Sequence, residues 1–133
     1  MIFTLDACAL LALVLNEPGG LYVDSLLSDE SNTCVVHALN MCEVYYEVLR
    51  SKDEYRAKLT VQQLLGAGVT VREDMDTTFW QKVGRFKAEY HRISLADCCC
   101  AVLSNRVGGE LITSDKELKP LEESKECNVR FFR

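Results

Sequence analysis

Four carboxylates, Asp6, Glu43, Asp97 and Asp115, recur in this sequence where an apolar run gives way to a helix-forming stretch. Asp6 closes the run Ile2-Phe3-Thr4-Leu5, and Asp115 follows Glu110-Leu111-Ile112-Thr113-Ser114. Glu43 falls early in the helical segment after Thr33 to His37, and Asp97 ends the cap-like string Ser94-Leu95-Ala96-Asp97. In an open parallel sheet the carboxyl ends of the strands and the amino ends of the following helices share one edge, where ligands bind. Two carboxylates about 5 Å apart repel by roughly 3 kcal/mol at an effective dielectric of 20. A group of four should therefore take up protons or hold a cation, and oxygen-only ligation favours Mg²⁺ or Mn²⁺. Each acid also has an ordinary reading: Asp6 as an N-cap, Glu43 as an acid favoured by the helix dipole, Asp97 as part of a capping box, and Asp115 as a turn residue. The site reading rests on the set.

The elements that must position these acids follow from apolar periodicity. Ala7 to Leu15 is apolar on every side, the pattern of a short buried helix, and Asn16-Glu17-Pro18-Gly19-Gly20 breaks it. A second helix is expected to start near Pro18, a favoured first-turn residue, and to end at the polar loop Ser28 to Asn32. Thr33-Cys34-Val35-Val36 reads as a buried strand ending at His37. From Leu39 to about Ser51, Met41, Val44, Tyr45 and Val48 fall at helical spacing, with Asn40, Glu43 and Glu47 on another face, so Glu43 is expected in the first turn. The charged run Arg50 to Lys58 predicts a turn and a helix start, that helix continuing to Leu65 until Gly66-Ala67-Gly68 stops it. Val69-Thr70-Val71 is a third strand.

Between Asp74 and His91 one helix is expected, with Phe79, Val83, Phe86 and Tyr90 as its apolar stripe and Lys82, Arg85, Glu89 and Arg92 as a mostly basic one. The helix opened at Ser94 buries Leu95, Cys98, Cys99, Val102 and Leu103 and ends at Gly108-Gly109, after which Glu110 to Thr113 is a strand. A last strand is expected near Asn128 to Phe132. Strands alternating with helices predict a parallel sheet covered on both faces. The expected fold is one α/β domain over residues 1–133, a three-layer α/β/α sandwich with a central parallel sheet.

Composition narrows the function classes. Charged residues make up 26% and hydrophobic ones 48%, ordinary globular usage that suggests neither disorder nor a membrane span. Ala7 to Leu15 makes a poor signal-peptide core, since no Lys or Arg precedes it, Asp6 abuts it and no small-residue cleavage site follows, and seven cysteines without a C-x-x-C pair point to reduced, buried thiols and a cytoplasmic protein. A net charge of −5 argues against nucleic-acid binding by bulk electrostatics. Metal ions in an acidic cleft reverse that sign locally.

The ordered set Leu5-Asp6-Ala7-Cys8-Ala9-Leu10-Leu11, Asn40-Met41-Cys42-Glu43-Val44-Tyr45-Tyr46, Ser94-Leu95-Ala96-Asp97 and Leu111-Ile112-Thr113-Ser114-Asp115 resembles the PIN domain, and within it the VapC-type ribonuclease toxins. The resemblance implies that Asp6, Glu43 and Asp97 are the core metal-binding acids and Asp115 a fourth, more variable one. Asn40 and Thr113 match supporting residues of the family. Ala7-Cys8 departs from the Thr-Ser common after the first acid, which removes a hydroxyl contact there. His37 stands where a small residue is common, and a strand-end structural role is expected for it.

The function so implied is hydrolysis of RNA phosphodiester bonds with one or two Mg²⁺ or Mn²⁺ ions, leaving 5′-phosphate and 3′-hydroxyl ends. A VapC-type protein would be the toxin of a type II toxin–antitoxin pair, with a small antitoxin as partner and a homodimeric state. RNA must be reached by cations outside the acids: Lys82, Arg85 and Arg92 are the first candidates, Arg50 and Lys52 the second. Tyr22, Tyr46 and Trp80 are candidates for interfaces. Competing readings are a PIN nuclease of RNA processing without a toxin role and a catalytically silent module that binds a protein. A phosphatase or phospho-acceptor domain also uses an Asp after its first strand. It fits poorly, because Cys8 stands where the haloacid-dehalogenase pattern wants a second acid.

Overall fold

The computed structural model describes residues 1–133. Five strands, β1 (Ile2–Leu5), β2 (Thr33–His37), β3 (Val69–Arg72), β4 (Glu110–Thr113) and β5 (Val129–Phe131), run in the order β3-β2-β1-β4-β5 with every pairing parallel. Leu5 lies beside Ile112, and His37 beside Arg72, so the ends of these strands reach a common edge. A strand covered on both faces reads as an apolar run rather than an alternation. β1 and β4 are buried from their second residue onward.

Seven helices cover the sheet: α1 (Ala7–Val14), α2 (Gly20–Ser28), α3 (Ala38–Ser51), α4 (Glu54–Gly66), α5 (Thr77–Glu89), α6 (Leu95–Val107) and α7 (Lys119–Glu123). Successive strand residues point to opposite faces. Val35 and Leu111 join a core with α5, α6 and α7, while Cys34, Val36 and Ile112 join one with α1 to α4. Two cores on either side of one parallel sheet make the expected three-layer α/β/α sandwich. Removing a large side chain such as Leu10 or Leu103, both fully buried, would forfeit roughly 2–5 kcal/mol.

Several expectations are corrected. The second helix starts at Gly20, not Pro18, because the chain first turns through Gly19 at φ 89°. A Cβ on Gly19 would collide with the Phe132 ring, so that turn needs glycine on both conformational and steric grounds. α3 starts at Ala38, one residue earlier than its periodicity suggests, and Glu43, its sixth residue, stands in the second turn, so the first turn holds no acid. Arg92 does not extend the α5 stripe: the helix ends at Glu89 and Tyr90 is its C-cap, which leaves Arg92 in the turn to α6.

Leu95 is exposed at the mouth of α6, whereas Asp97 to Ser104 are buried on every side. A helix sandwiched this deeply has no polar stripe, so periodicity cannot mark its inner face. Cys42 is exposed and Cys8 only half-buried, against the expectation of buried thiols. The last strand is shorter than expected. The chain between β4 and β5 folds as a 3-10 turn (Lys116–Leu118) leading into α7, anchored by buried Leu118 and Leu121.

Candidate functional site

Each acid reaches the sheet edge through its own local device. Asp6 is the N-cap of α1: Oδ1 accepts from the Ala9 N–H at 2.9 Å, the usual way to satisfy a first-turn donor. Its Oδ2 accepts from the Thr113 hydroxyl. That hydroxyl in turn accepts from the Asp115 N–H at 2.9 Å, so the end of β4 is fixed against the end of β1. Asp97 is presented by α6, whose N-cap Ser94 accepts from the Asp97 N–H at 3.1 Å. The carboxylate does not complete a capping box; it lies within hydrogen-bonding reach of the Asp115 carboxyl.

Glu43 is oriented by Asn40, whose side-chain amide donates to Glu43 Oε1 at 3.2 Å and to the Ala96 carbonyl at 3.4 Å. Asn40 thus ties α3 to the first turn of α6. Its own carbonyl oxygen is buried without a partner, which costs about 1–3 kcal/mol unless something else supplies a donor or a cation.

The electrostatics follow from burial without compensation. Burial pushes the Asp6 carboxyl up to about 7 against the lowering effect of its bonds to Thr113 and Ala9, with the charges of Asp115 and Glu43 adding to the rise. Asp97 is pushed up to about 8, first by burial, then by the carboxyl–carboxyl bond to Asp115 and the charges of Asp6, Asp115 and Glu43. Glu43 is raised by burial and by Asp115, opposed by Asn40. No lysine or arginine forms an ion pair with any of the four acids. Cys8 is half-buried next to Asp6 in the chain, its thiol pushed up to about 12 by burial and by Asp6.

The donor set suits a hard divalent cation: oxygen ligands, raised acids and an unpartnered amide oxygen. No three His, Cys, Asp or Glu side chains stand at coordination spacing. Asp97 and Asp115 instead turn to each other, and Asp6 is held by Thr113 and Ala9, the arrangement expected of such acids when protons balance their charge.

The other candidates separate. His37 is structural: Nδ1 accepts from the Leu39 N–H at 3.1 Å, so Nε2 carries the proton it donates to the Asp74 carbonyl at 2.9 Å, and the ring stacks on Phe79. Lys82 and Arg85 line a hollow of about 190 Å³ with Val102 and Arg106. At 1.5 Å per residue those two stand about 7.5 and 13.5 Å along α6 from Asp97. Arg85 is also engaged by Glu89 and Glu126. Arg50 pairs with Glu47, about 10 Å along α3 from Glu43. Arg92 stands in the turn that leads into α6, five positions before Asp97. The sequence reading passed over Lys87, which bonds the carbonyls of that turn; no sequence pattern marks such a contact.

Tyr46 and Trp80 are about half exposed, while Tyr22 is partly buried and accepts from Arg130. No helix is long and apolar enough to cross a membrane.

Comparisons with known proteins agree with this architecture. The chain superposes on the VapBC2 structure from Rickettsia felis bound to a promoter DNA fragment with a TM-score of 0.76 at 16% identity, covering 98% of each chain. DNA-bound VapBC from Salmonella typhimurium gives 0.74 at 17% identity, covering 100% of this chain and 99% of that one. VapC20 from Mycobacterium tuberculosis, described as a sarcin-ricin loop cleaving toxin, gives 0.70 at 13% identity, covering 90% and 94%. No curated protein matches the sequence. The PIN domain family model matches residues 3–123. That span runs from the first strand to the last helix and takes in all four acids, and on it the chain belongs to the PIN domain family.

Proposed function

We propose that this chain, as one domain over residues 1–133, is a metal-dependent endoribonuclease and the toxin of a type II toxin–antitoxin pair. The observation that carries the reading is the group of raised acids at one sheet edge, Asp6 and Asp97 buried and Glu43 half-buried, with no cation among them. Solved structures of like fold, one named as a sarcin-ricin loop cleaving toxin and others as a toxin–antitoxin complex and a member of the VapBC family of toxin–antitoxin systems, support the substrate and the antitoxin partner.

Asp6, Asp97, Glu43 and Asp115 are the residues that would hold one or two Mg²⁺ or Mn²⁺ ions. A bound ion supplies an activated water and positive charge for the scissile phosphate. Thr113 and Ala9 fix the Asp6 carboxylate, and Asn40 orients Glu43. Burial of Asp6 and Asp97 excludes bulk water and so strengthens their hold on a cation. The protein is expected to act in the cytoplasm, as a homodimer that a small antitoxin silences.

The test is cleavage of RNA with Mn²⁺ or Mg²⁺ by the wild type and by Asp6→Asn and Asp97→Asn. Loss in both variants supports the assignment; undiminished cleavage in both overturns it. One observation favours a catalytically silent, protein-binding module instead: no three acids stand at coordination spacing. Such a module would neither cleave RNA nor gain thermal stability from Mn²⁺.

A further inference from the structure

Seven of the eight arginines, at 50, 56, 72, 85, 106, 130 and 133, pair with a carboxylate. Arg92 does not, and it is exposed. It also stands on an unusually constrained piece of chain. The Lys87 ammonium bonds the carbonyls on either side of it, His91 at 2.9 Å and Ile93 at 2.7 Å. Ile93 is buried in the core, and the Tyr90 hydroxyl meets that of Ser124 at 3.2 Å. Three residues of the turn are tied down so that the fourth projects.

The turn forms one wall of a groove of about 450 Å³, with Lys116 and Glu117 on the other. Both walls lead directly to the acids. Ser94, two residues past Arg92, caps the helix that carries Asp97, and Lys116 follows Asp115. The volume is that of a small-ligand site, and the lining combines the aromatic rings of Tyr90 and His91 with an unpaired cation, the composition of a seat for a single-stranded nucleotide.

We propose that this groove seats the nucleotide flanking the scissile phosphate, with Arg92 as its phosphate contact and Lys87 as the residue that positions Arg92. The proposal rests on the ribonuclease reading above and adds where the strand lies. Of the other charges in the lining, Glu89 is engaged by Arg85 at 3.3 Å. Lys116 donates to the Arg133 carbonyl and lies over the Phe131 ring. Glu117 has no cation partner and opposes the phosphate, so the groove predicts two effects of opposite sign.

The experiment is fluorescence anisotropy of a short fluorescein-labelled single-stranded RNA of mixed sequence with the full chain in EDTA, across a salt series. Arg92→Ala should weaken binding about tenfold at low salt and reduce the slope of log affinity against log salt by about 0.7, the share of one single-strand phosphate. Glu117→Gln should tighten binding. Lys87→Met should weaken it, yet add nothing when combined with Arg92→Ala, as expected of a residue acting through another; Lys87→Arg should restore it. Lys58→Ala, which removes an exposed charge on α4, is the control. Arg92→Ala indistinguishable from Lys58→Ala, or Glu117→Gln that does not tighten binding, overturns the groove while wild-type cleavage leaves the nuclease reading intact. Wild type that neither binds RNA nor cleaves it with Mn²⁺ overturns both.

Discussion

Two groups of acids lie within a few residues of the sheet edge, and they are treated in opposite ways. Asp74 accepts from Arg72 Nε at 2.9 Å and from Arg106 at 3.0 Å, and Asp76 accepts from Arg106 at 2.5 and 3.0 Å. The Arg106 guanidinium also lies 5.0 Å from the centroid of the Phe79 ring. Hydrogen bonds to these arginines hold the Asp74 carboxyl below its usual range and bring Asp76 down to about 2. Asp6 and Asp97 are buried, grip no arginine, and are pushed up to about 7 and 8. The chain therefore compensates acids with arginine where they fasten the β3–α5 loop to α6. It leaves them uncompensated where we propose that an external cation binds.

The largest effect that can sharpen this contrast is on catalysis. Asp97→Asn should reduce RNA cleavage more than ~100-fold and, in metal-free buffer at pH 8, raise the melting temperature, because it removes a buried charge that nothing balances. A lower melting temperature would place Asp97 with the structural acids.

Metal addition comes next. Mn²⁺ at a hundredfold excess over its Kd should stabilise the wild type by about 2.7 kcal/mol, read as a rise in melting temperature that EDTA reverses and that Asp97→Asn lacks. Neutralising Asp74 should not abolish the response.

The pH dependence should then divide the two groups. Asp6 and Asp97 keep protons in the folded state up to about 7 and 8 but lose them near 4 when unfolded. The folded state binds more protons across that window, so metal-free stability should fall as pH rises from about 4 to 8 and level off above it. Asp74 and Asp76 have the opposite sign: their contribution is present above pH 4 and is lost as pH falls toward 2. Thermal melts in EDTA across pH 3 to 9 check both limbs, and a flat profile between 5 and 8 would break the comparison.

The smallest effect belongs to Arg106→Ala. Its ion pairs are partly exposed, so the loss of stability should be modest and should shrink in high salt, with cleavage retained. Urea melts at low and high ionic strength measure it.

Much of this architecture is legible in the sequence because its signals are local. Buried parallel strands announce themselves as short apolar runs, and Gly108 ends α6 in the left-handed conformation its residue type permits. The four acids are legible as positions at one edge because strand and helix order alone puts them there. What is not legible depends on contacts far along the chain. Pro18 looks like a helix start until Phe132 packs against Gly19. Arg92 continues a helical stripe on paper until Tyr90 ends the helix and Lys87 binds the turn. Leu95 fits an apolar period and yet faces solvent, because α6 is buried by its depth between layers rather than by one face. Asn40, passed as a supporting residue, is the link between α3 and α6 that spacing does not reveal.

The bond between Asp6 and Thr113 spans 107 positions of the chain. During synthesis Asp6 leaves the ribosome 107 positions before the hydroxyl that fixes it and before β4, the strand that carries that hydroxyl. A partly translated chain thus has the acid but not its setting. Until β4 joins β1, the Asp6 carboxylate lacks the hydroxyl that fixes its Oδ2, whatever part of the chain has already folded.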